Sequence, residues 1–66
     1  MVSLNDRLYP YEPGMNLLEL LKADNVDIHG PVLITLNGKL VKKDSYAEVT
    51  LSDGDEVLAI CVSSGG

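Results

Sequence analysis

The chain has 66 residues and a net charge of −5, with ten acidic and five basic side chains. This length allows one small domain, and the single cysteine, Cys61, excludes an internal disulfide. The acidic balance argues against nucleic acid and against an anionic membrane surface as partners, because binding to both depends on lysine and arginine.

Three further features bear on where the protein acts. No apolar run approaches the roughly 18 residues of a membrane span. The N-terminus lacks the basic region and the apolar run of a signal peptide. A single free thiol fits a reducing compartment, so the sequence predicts a cytoplasmic protein without a membrane partner.

The first segment is predicted to form a hairpin. Apolar and polar residues alternate over 2–4, and a second extended run follows at 8–11. Asn5 and Asp6 lie between the two runs, and both residue types tolerate the positive φ of a tight turn.

A helix is predicted over residues 17–24. Asn16 is a suitable N-cap, and Glu19 follows three residues later at the spacing of a capping box. Four leucines fall in five positions here, which is more than one helix face can bury, so one of them is expected to reach a partner. The leucines that share the core-facing side are Leu17, Leu20 and Leu21.

A second hairpin follows the loop that Gly30-Pro31 closes, a loop in which Val26 and Ile28 are expected to fold back under the sheet. Residues 32–36 alternate, and the Asn37-Gly38 pair that comes next is a strong hairpin signal. The stretch LNGKL at 36–40 nearly copies LNDRL at 4–8, so both hairpins are expected to use the same turn chemistry.

The remaining elements complete an α+β architecture. One helical turn is expected after Asp44 and a turn at 52–55, and residues 57–62 are apolar on both strand faces, which is typical of a central strand. We therefore predict a mixed sheet of four to five strands, with the last strand beside the first. A single helix covers one face, and the uncovered face is available to a partner.

The chain is predicted to consist of one domain, residues 1–62, and a flexible C-terminal tail, residues 63–66. The tail ends in Gly65-Gly66, which can enter a tunnel too narrow for side chains and present a bare carboxylate. A carboxylate needs activation, for example by joining to AMP, and this chain has no phosphate-binding loop. The activating machinery must belong to another protein, and a frayed end is the alternative interpretation.

Other reactive residues have structural interpretations. Cys61 lies in an apolar strand and is expected to be a small buried hydrophobe. His29 is interpreted as a loop residue because no metal-binding partners lie at ligand spacing, and Asp53 and Asp55 are interpreted as turn residues. No nucleophile, base and orienting group occur together, so the chain is not expected to be an enzyme.

Two long stretches resemble the ubiquitin-like sulfur carrier proteins, the ThiS/MoaD family. They are NDRLYPYEPGMNLLELL and LITLNGKLVKKDSYAEVTLSDGDEVLAICVSSGG. The resemblance covers nearly the whole chain, and its most specific part is the order of Asn37-Gly38, Asp53-Gly54-Asp55 and Gly65-Gly66. It implies a β-grasp fold.

Within the family, the chain most resembles the thiamine-biosynthesis branch. The features that support this resemblance are the short length, Tyr46-Ala47-Glu48 and Leu51. The resemblance implies that an E1-like adenylyltransferase (ThiF-type) uses ATP to adenylate the carboxylate of Gly66. A sulfur donor then gives a thiocarboxylate, which delivers sulfide to thiazole synthase (ThiG-type). Gly65 and Ser64 would give access to the enzyme, and no cofactor is expected to bind the carrier itself.

The sequence departs from the family pattern in three places, and other functions stay open. Met15 stands where a threonine is common, and the prolines that usually precede Gly-Gly in the small subunit of molybdopterin synthase are missing. The segment that precedes Gly65-Gly66, residues 61–64, is also less apolar than is common in the thiamine branch. The alternatives are a sulfur carrier for molybdopterin synthase or another sulfur-incorporating pathway, a non-catalytic β-grasp adaptor domain, and protein conjugation in the manner of ubiquitin.

Overall fold

The computed structural model describes residues 1–62, so the predicted flexible tail at 63–66 lies outside the described residues. The described part holds one α-helix and five strands, with a short 3-10 turn before the last strand. In chain order the elements are β1 Val2–Leu4, β2 Arg7–Tyr9, α1 Leu17–Ala23, β3 Val32–Leu36, β4 Lys39–Val41, the 3-10 turn Lys43–Ser45 and β5 Glu56–Cys61.

The five strands form one mixed sheet in the order β2-β1-β5-β3-β4. β5 is parallel to β1 and antiparallel to β3, and the two hairpins are antiparallel. The longest pairing joins β5 to β3 over five residues, from Val32 opposite Cys61 to Leu36 opposite Val57. The predicted α+β architecture and the central place of the last strand beside the first are therefore confirmed.

Helix α1 begins at its predicted N-cap. The Asn16 Oδ1 accepts a hydrogen bond from the Glu19 backbone N–H at 2.8 Å, which satisfies one of the free donors of the first turn. The helix ends at Ala23, one residue earlier than predicted, and Asp24 is the C-cap. Asn25 then takes a positive φ of 59°, which turns the chain out of the helix.

The core lies between α1 and one face of the sheet. Leu17, Leu20 and Leu21 are buried, as predicted, and Leu18 stays partly exposed. Complete burial of one such leucine is worth about 1.5–3 kcal/mol, so these three carry much of the stability of a small domain. Burial also raises the pKa of the Tyr46 hydroxyl, because the core disfavours a phenolate. The remaining buried residues are Val2, Leu4, Met15, Val32, Ile34, Leu51 and Val57.

Both hairpin turns place an asparagine in the left-handed region, with φ of 53° at Asn5 and 51° at Asn37. Gly38 also has a positive φ, 86°, as a type I′ turn requires, whereas Asp6 does not share the conformation of Asn5. The two turns therefore share their first residue, and the predicted identity of turn chemistry holds for the asparagines only.

The two asparagines also bond β5 from opposite sides. The Asn5 Oδ1 accepts from the Ala59 N–H at 2.9 Å, and the Asn5 N–H donates to the Val57 carbonyl at 2.9 Å. The Asn37 Oδ1 accepts from the Glu56 N–H at 2.9 Å, and its own N–H donates to the Glu56 carbonyl at 2.7 Å. These side chains continue the ladders on β5 beyond the ends of β1 and β3.

Substitutions at Asn5 separate the two roles of this residue. Asn5→Gly keeps the turn but removes the bond to Ala59, so we expect a loss of about 1 kcal/mol in the free energy of unfolding. Asn5→Ala also forces an alanine into the left-handed region, so we expect a loss of about 2–3 kcal/mol. Urea unfolding measures both, with Asp6→Ala as the control in the same turn. Equal stability of the glycine and alanine variants would contradict the assignment.

Candidate functional site: the open sheet face and the end of strand β5

The side of the sheet opposite α1 carries a row of exposed apolar side chains that no described element covers. Leu58 and Ile60 on β5 are 47% and 49% exposed, and Leu33 on β3 is 46% exposed. Leu33 lies opposite Ile60, and Thr35 lies between Leu58 and Leu40 of β4, so these side chains adjoin one another. We call the set of Leu33, Thr35, Leu40, Leu58 and Ile60 the open face. The prediction of an uncovered apolar sheet face is confirmed.

The open face is suited to apolar contact. Its one hydroxyl, Thr35 Oγ1, is shielded from solvent by its neighbours and has no hydrogen-bond partner among residues 1–62. Leu40 is 64% exposed at the edge of the patch. Clusters of exposed apolar side chains of this kind mark interaction sites on small soluble domains.

The turn before β5 is acidic and internally bonded. The Asp55 carboxylate accepts from the Ser52 N–H at 2.7 Å and from the Asn37 side-chain amide at 3.0 Å. Asp53 forms an ion pair with the N-terminal amine of Met1. Both carboxylates are therefore engaged in holding the turn, and its interpretation as turn chemistry is confirmed.

The other reactive residues are dispersed. His29 is an exposed loop residue, as predicted, and its N–H donates to the Asp27 carboxylate at 3.1 Å. Within residues 1–62 no group of three or more potential metal-ligating side chains occurs. No helix in the same range is long and apolar enough to cross a membrane.

The prediction that Cys61 is buried is wrong, because the structure exposes this thiol. Cys61 is the last residue of β5 and pairs with Val32, the first residue of β3. Its side chain lines a cleft of about 140 Å³ at this end of the sheet, together with Pro31 and Val62. The apolar pattern predicted the strand correctly. It did not show that the core ends before Cys61, the last residue of the strand.

The chain leaves the sheet at a defined point. The Val62 N–H donates to the Pro31 carbonyl at 2.7 Å, one residue after β5 ends. The predicted site residues Ser64, Gly65 and Gly66 lie outside the described residues. Four residues separate Val62 from the terminal carboxylate and can span at most about 14 Å.

Sequence reasoning missed a polar cluster that joins β2 to the end of α1. The Tyr9 hydroxyl and the Arg7 guanidinium both bond Asp24 Oδ1, the latter at 3.1 Å. The bond to the Asp24 carboxylate raises the pKa of Tyr9, because it favours the protonated hydroxyl. Arg7 and Asp24 are 17 residues apart, and no local pattern connects them.

A five-stranded mixed sheet with one helix on one face and a central last strand defines a β-grasp protein. The family model of the ThiS family matches residues 2–66. The chain belongs to the ThiS family.

Solved structures of thiamine biosynthesis proteins share this fold. The crystal structure of a thiamine biosynthesis protein (ThiS) from Geobacter metallireducens aligns with a TM-score of 0.76 at 27% identity, covering 98% of this chain and 97% of that one. The NMR solution structure of a thiamine biosynthesis protein from the same organism has a TM-score of 0.74 at 27% identity, with 98% and 86% coverage. No curated protein matches the chain significantly.

The contribution of the Arg7–Tyr9–Asp24 cluster to stability is expected to depend on pH. The pKa of Tyr9 is raised in the folded state, so its stabilising bond is complete below the ordinary tyrosine pKa and is lost as the pH rises through the folded pKa. We expect Asp24→Asn to lower the pKa of Tyr9 and to leave that of Tyr46, which burial raises, unchanged. NMR titration of ¹³C-labelled tyrosine rings measures each residue separately. An unchanged Tyr9 pKa in the variant would refute the bond.

Proposed function

We propose that this chain is a sulfur carrier protein for the synthesis of the thiazole of thiamine, and that the carboxylate of Gly66 carries the sulfur. The observation that carries the proposal is membership in the ThiS family over residues 2–66, a range that includes the terminal Gly-Gly. The two thiamine biosynthesis structures that share the fold support it.

The chemistry would proceed in three steps at the carboxylate of Gly66. An E1-like adenylyltransferase joins the Gly66 carboxylate to the α-phosphate of ATP, and pyrophosphate leaves. A donor at the oxidation level of sulfide then attacks the acyl carbon, a C–S bond forms, and AMP leaves with the shared oxygen. Thiazole synthase takes sulfide from the thiocarboxylate, and water restores the carboxylate. In this proposal the partner enzymes supply the catalytic groups, and the carrier supplies the reacting carboxylate.

The open face would dock the partner enzymes. It presents four large apolar side chains. A stable interface involves about 20–30 residues and buries about 800 Å² on each partner, so the open face is small by comparison. An interface of modest size suits a carrier, because the E1-like enzyme and the thiazole synthase must use the same surface in turn. β5 carries Leu58 and leads into the tail, so a partner docked on this face would meet the Gly66 carboxylate within about 14 Å of Val62.

The alternatives use the same features differently. An adaptor domain would use the open face but would not need the tail. A carrier for molybdopterin synthase or another sulfur-incorporating pathway would use both, and would differ in the enzyme that removes the sulfur. The roles of the tail and of the open face can therefore be tested separately.

Loading of the tail is tested by intact mass spectrometry after incubation with ATP, the E1-like enzyme and a sulfur donor. We expect one oxygen to be replaced by sulfur, and fragmentation to place the change on Gly66. A chain that lacks Gly65 and Gly66 is the control, and we expect it to stay folded and unloaded. An unchanged mass, in an assay where the enzyme loads a known carrier, would overturn the carrier role.

Docking is tested by the double variant Leu58→Thr with Ile60→Thr. Threonine keeps the strand propensity but removes most of the apolar contact, so we expect kcat/KM for adenylation to fall at least about tenfold, mainly through KM. Val41→Thr is the matched control, because Val41 is also an apolar strand residue but pairs with the buried Ile34 and so faces the other side of the sheet. Equal activity of both variants would exclude the open face as the docking surface.

A further inference from the structure

A second surface lies on the other side of the sheet from the open face. A cleft of about 220 Å³ separates α1 from the segment that follows β2. The buried apolar part of its lining, here called the floor, comes from Met15 and Leu20, and Ala23 and Tyr9 also line the cleft. This volume is suited to a single long side chain rather than to a folded element.

Two acidic residues also line the cleft, Glu19 from the first turn of α1 and Glu12 from the facing segment. Neither forms a salt bridge within residues 1–62, where the ion pairs are Arg7 with Asp24 and the N-terminus with Asp53. The nearby Asp24 is paired with Arg7, so the two glutamates are the charged residues that line the cleft.

The walls of the cleft are held in place before anything binds. The Glu12 N–H donates to the Met15 sulfur at 3.3 Å, and the Met15 N–H donates to the Glu12 carbonyl at 3.0 Å. The bond from the Tyr9 hydroxyl to Asp24 fixes the orientation of the ring. A preformed site binds with less loss of conformational freedom than one that must first be ordered.

We propose that this cleft docks an arginine side chain of a partner protein. The methylene stem would cover the floor at Met15 and Leu20, and the guanidinium would lie between Glu12 and Glu19 and against the ring of Tyr9. Arginine matches this combination because its planar cation bonds two carboxylates and stacks on an aromatic ring. A bare divalent cation is disfavoured, since within residues 1–62 no third acidic, histidine or cysteine side chain joins the two glutamates at metal-binding distance.

The consequence goes beyond the proposed function and does not depend on it. The sheet separates the cleft from the open face, so a protein that inserts an arginine here leaves the open face accessible. The domain can then contact two proteins at once, one through the open face and one through the cleft.

The test is an NMR titration of the ¹⁵N-labelled chain with N-acetyl-arginine N-methylamide, and with the neutral citrulline analogue as the control ligand. We expect the amides of Glu19 and Ala23 to shift with the arginine probe, with a Kd on the order of 10 mM. We expect the citrulline probe to bind at least about threefold more weakly, because it lacks the charge.

Matched variants locate the effect. The double variant Glu12→Gln with Glu19→Gln preserves the shape of the cleft, and we expect it to weaken arginine binding at least about threefold. The double variant Asp6→Asn with Asp44→Asn removes the same total charge outside the cleft, and we expect unchanged binding. Equal binding of the two probes, equal loss in the two variants, or no shift at the cleft would each overturn the proposal.

Discussion

The structure depends on the position of β5 between β1 and β3. This strand is the last in sequence and the third of five in the sheet. The two hairpins do not pair with each other, and β5 forms the hydrogen bonds that unite them in one sheet. Asn5 and Asn37 bond it from opposite sides, and Val57 brings it into the core. Because β5 also leads directly to the tail, the same pairing that completes the core fixes the point at which the chain leaves the sheet.

The two faces of the sheet differ because one short helix can cover only one of them. Three leucines of α1 complete the core on one side, and on the other side Leu33, Leu58 and Ile60 remain exposed. These side chains are about half exposed, so each forgoes about half of the roughly 1.5–3 kcal/mol that complete burial would bring. A protein that hands one group to successive enzymes uses such a surface for short-lived contacts, and the proposed function gives this exposure a purpose.

Much of the fold could be predicted from the sequence, because its signals are local. Strand alternation, the Asn16 cap and the Asn37-Gly38 turn fixed the elements, and the apolar pattern of β5 indicated its central place. Long-range features could not be predicted in this way: the exposure of Cys61 depends on where the core ends, and the Arg7–Tyr9–Asp24 cluster joins residues distant in sequence. The site residues Ser64, Gly65 and Gly66 stay predictions, since they follow the described part of the chain.

The central claim is that a free carboxylate on Gly66 is the reactive group of the protein. ATP–pyrophosphate exchange catalysed by the E1-like enzyme tests it most directly, with the native chain compared with a semisynthetic chain whose terminal carboxylate is an amide. The two chains share every side chain, so docking is the same in both. We expect exchange with the free acid and none with the amide. Equal exchange with both chains, or none with either, would contradict the account.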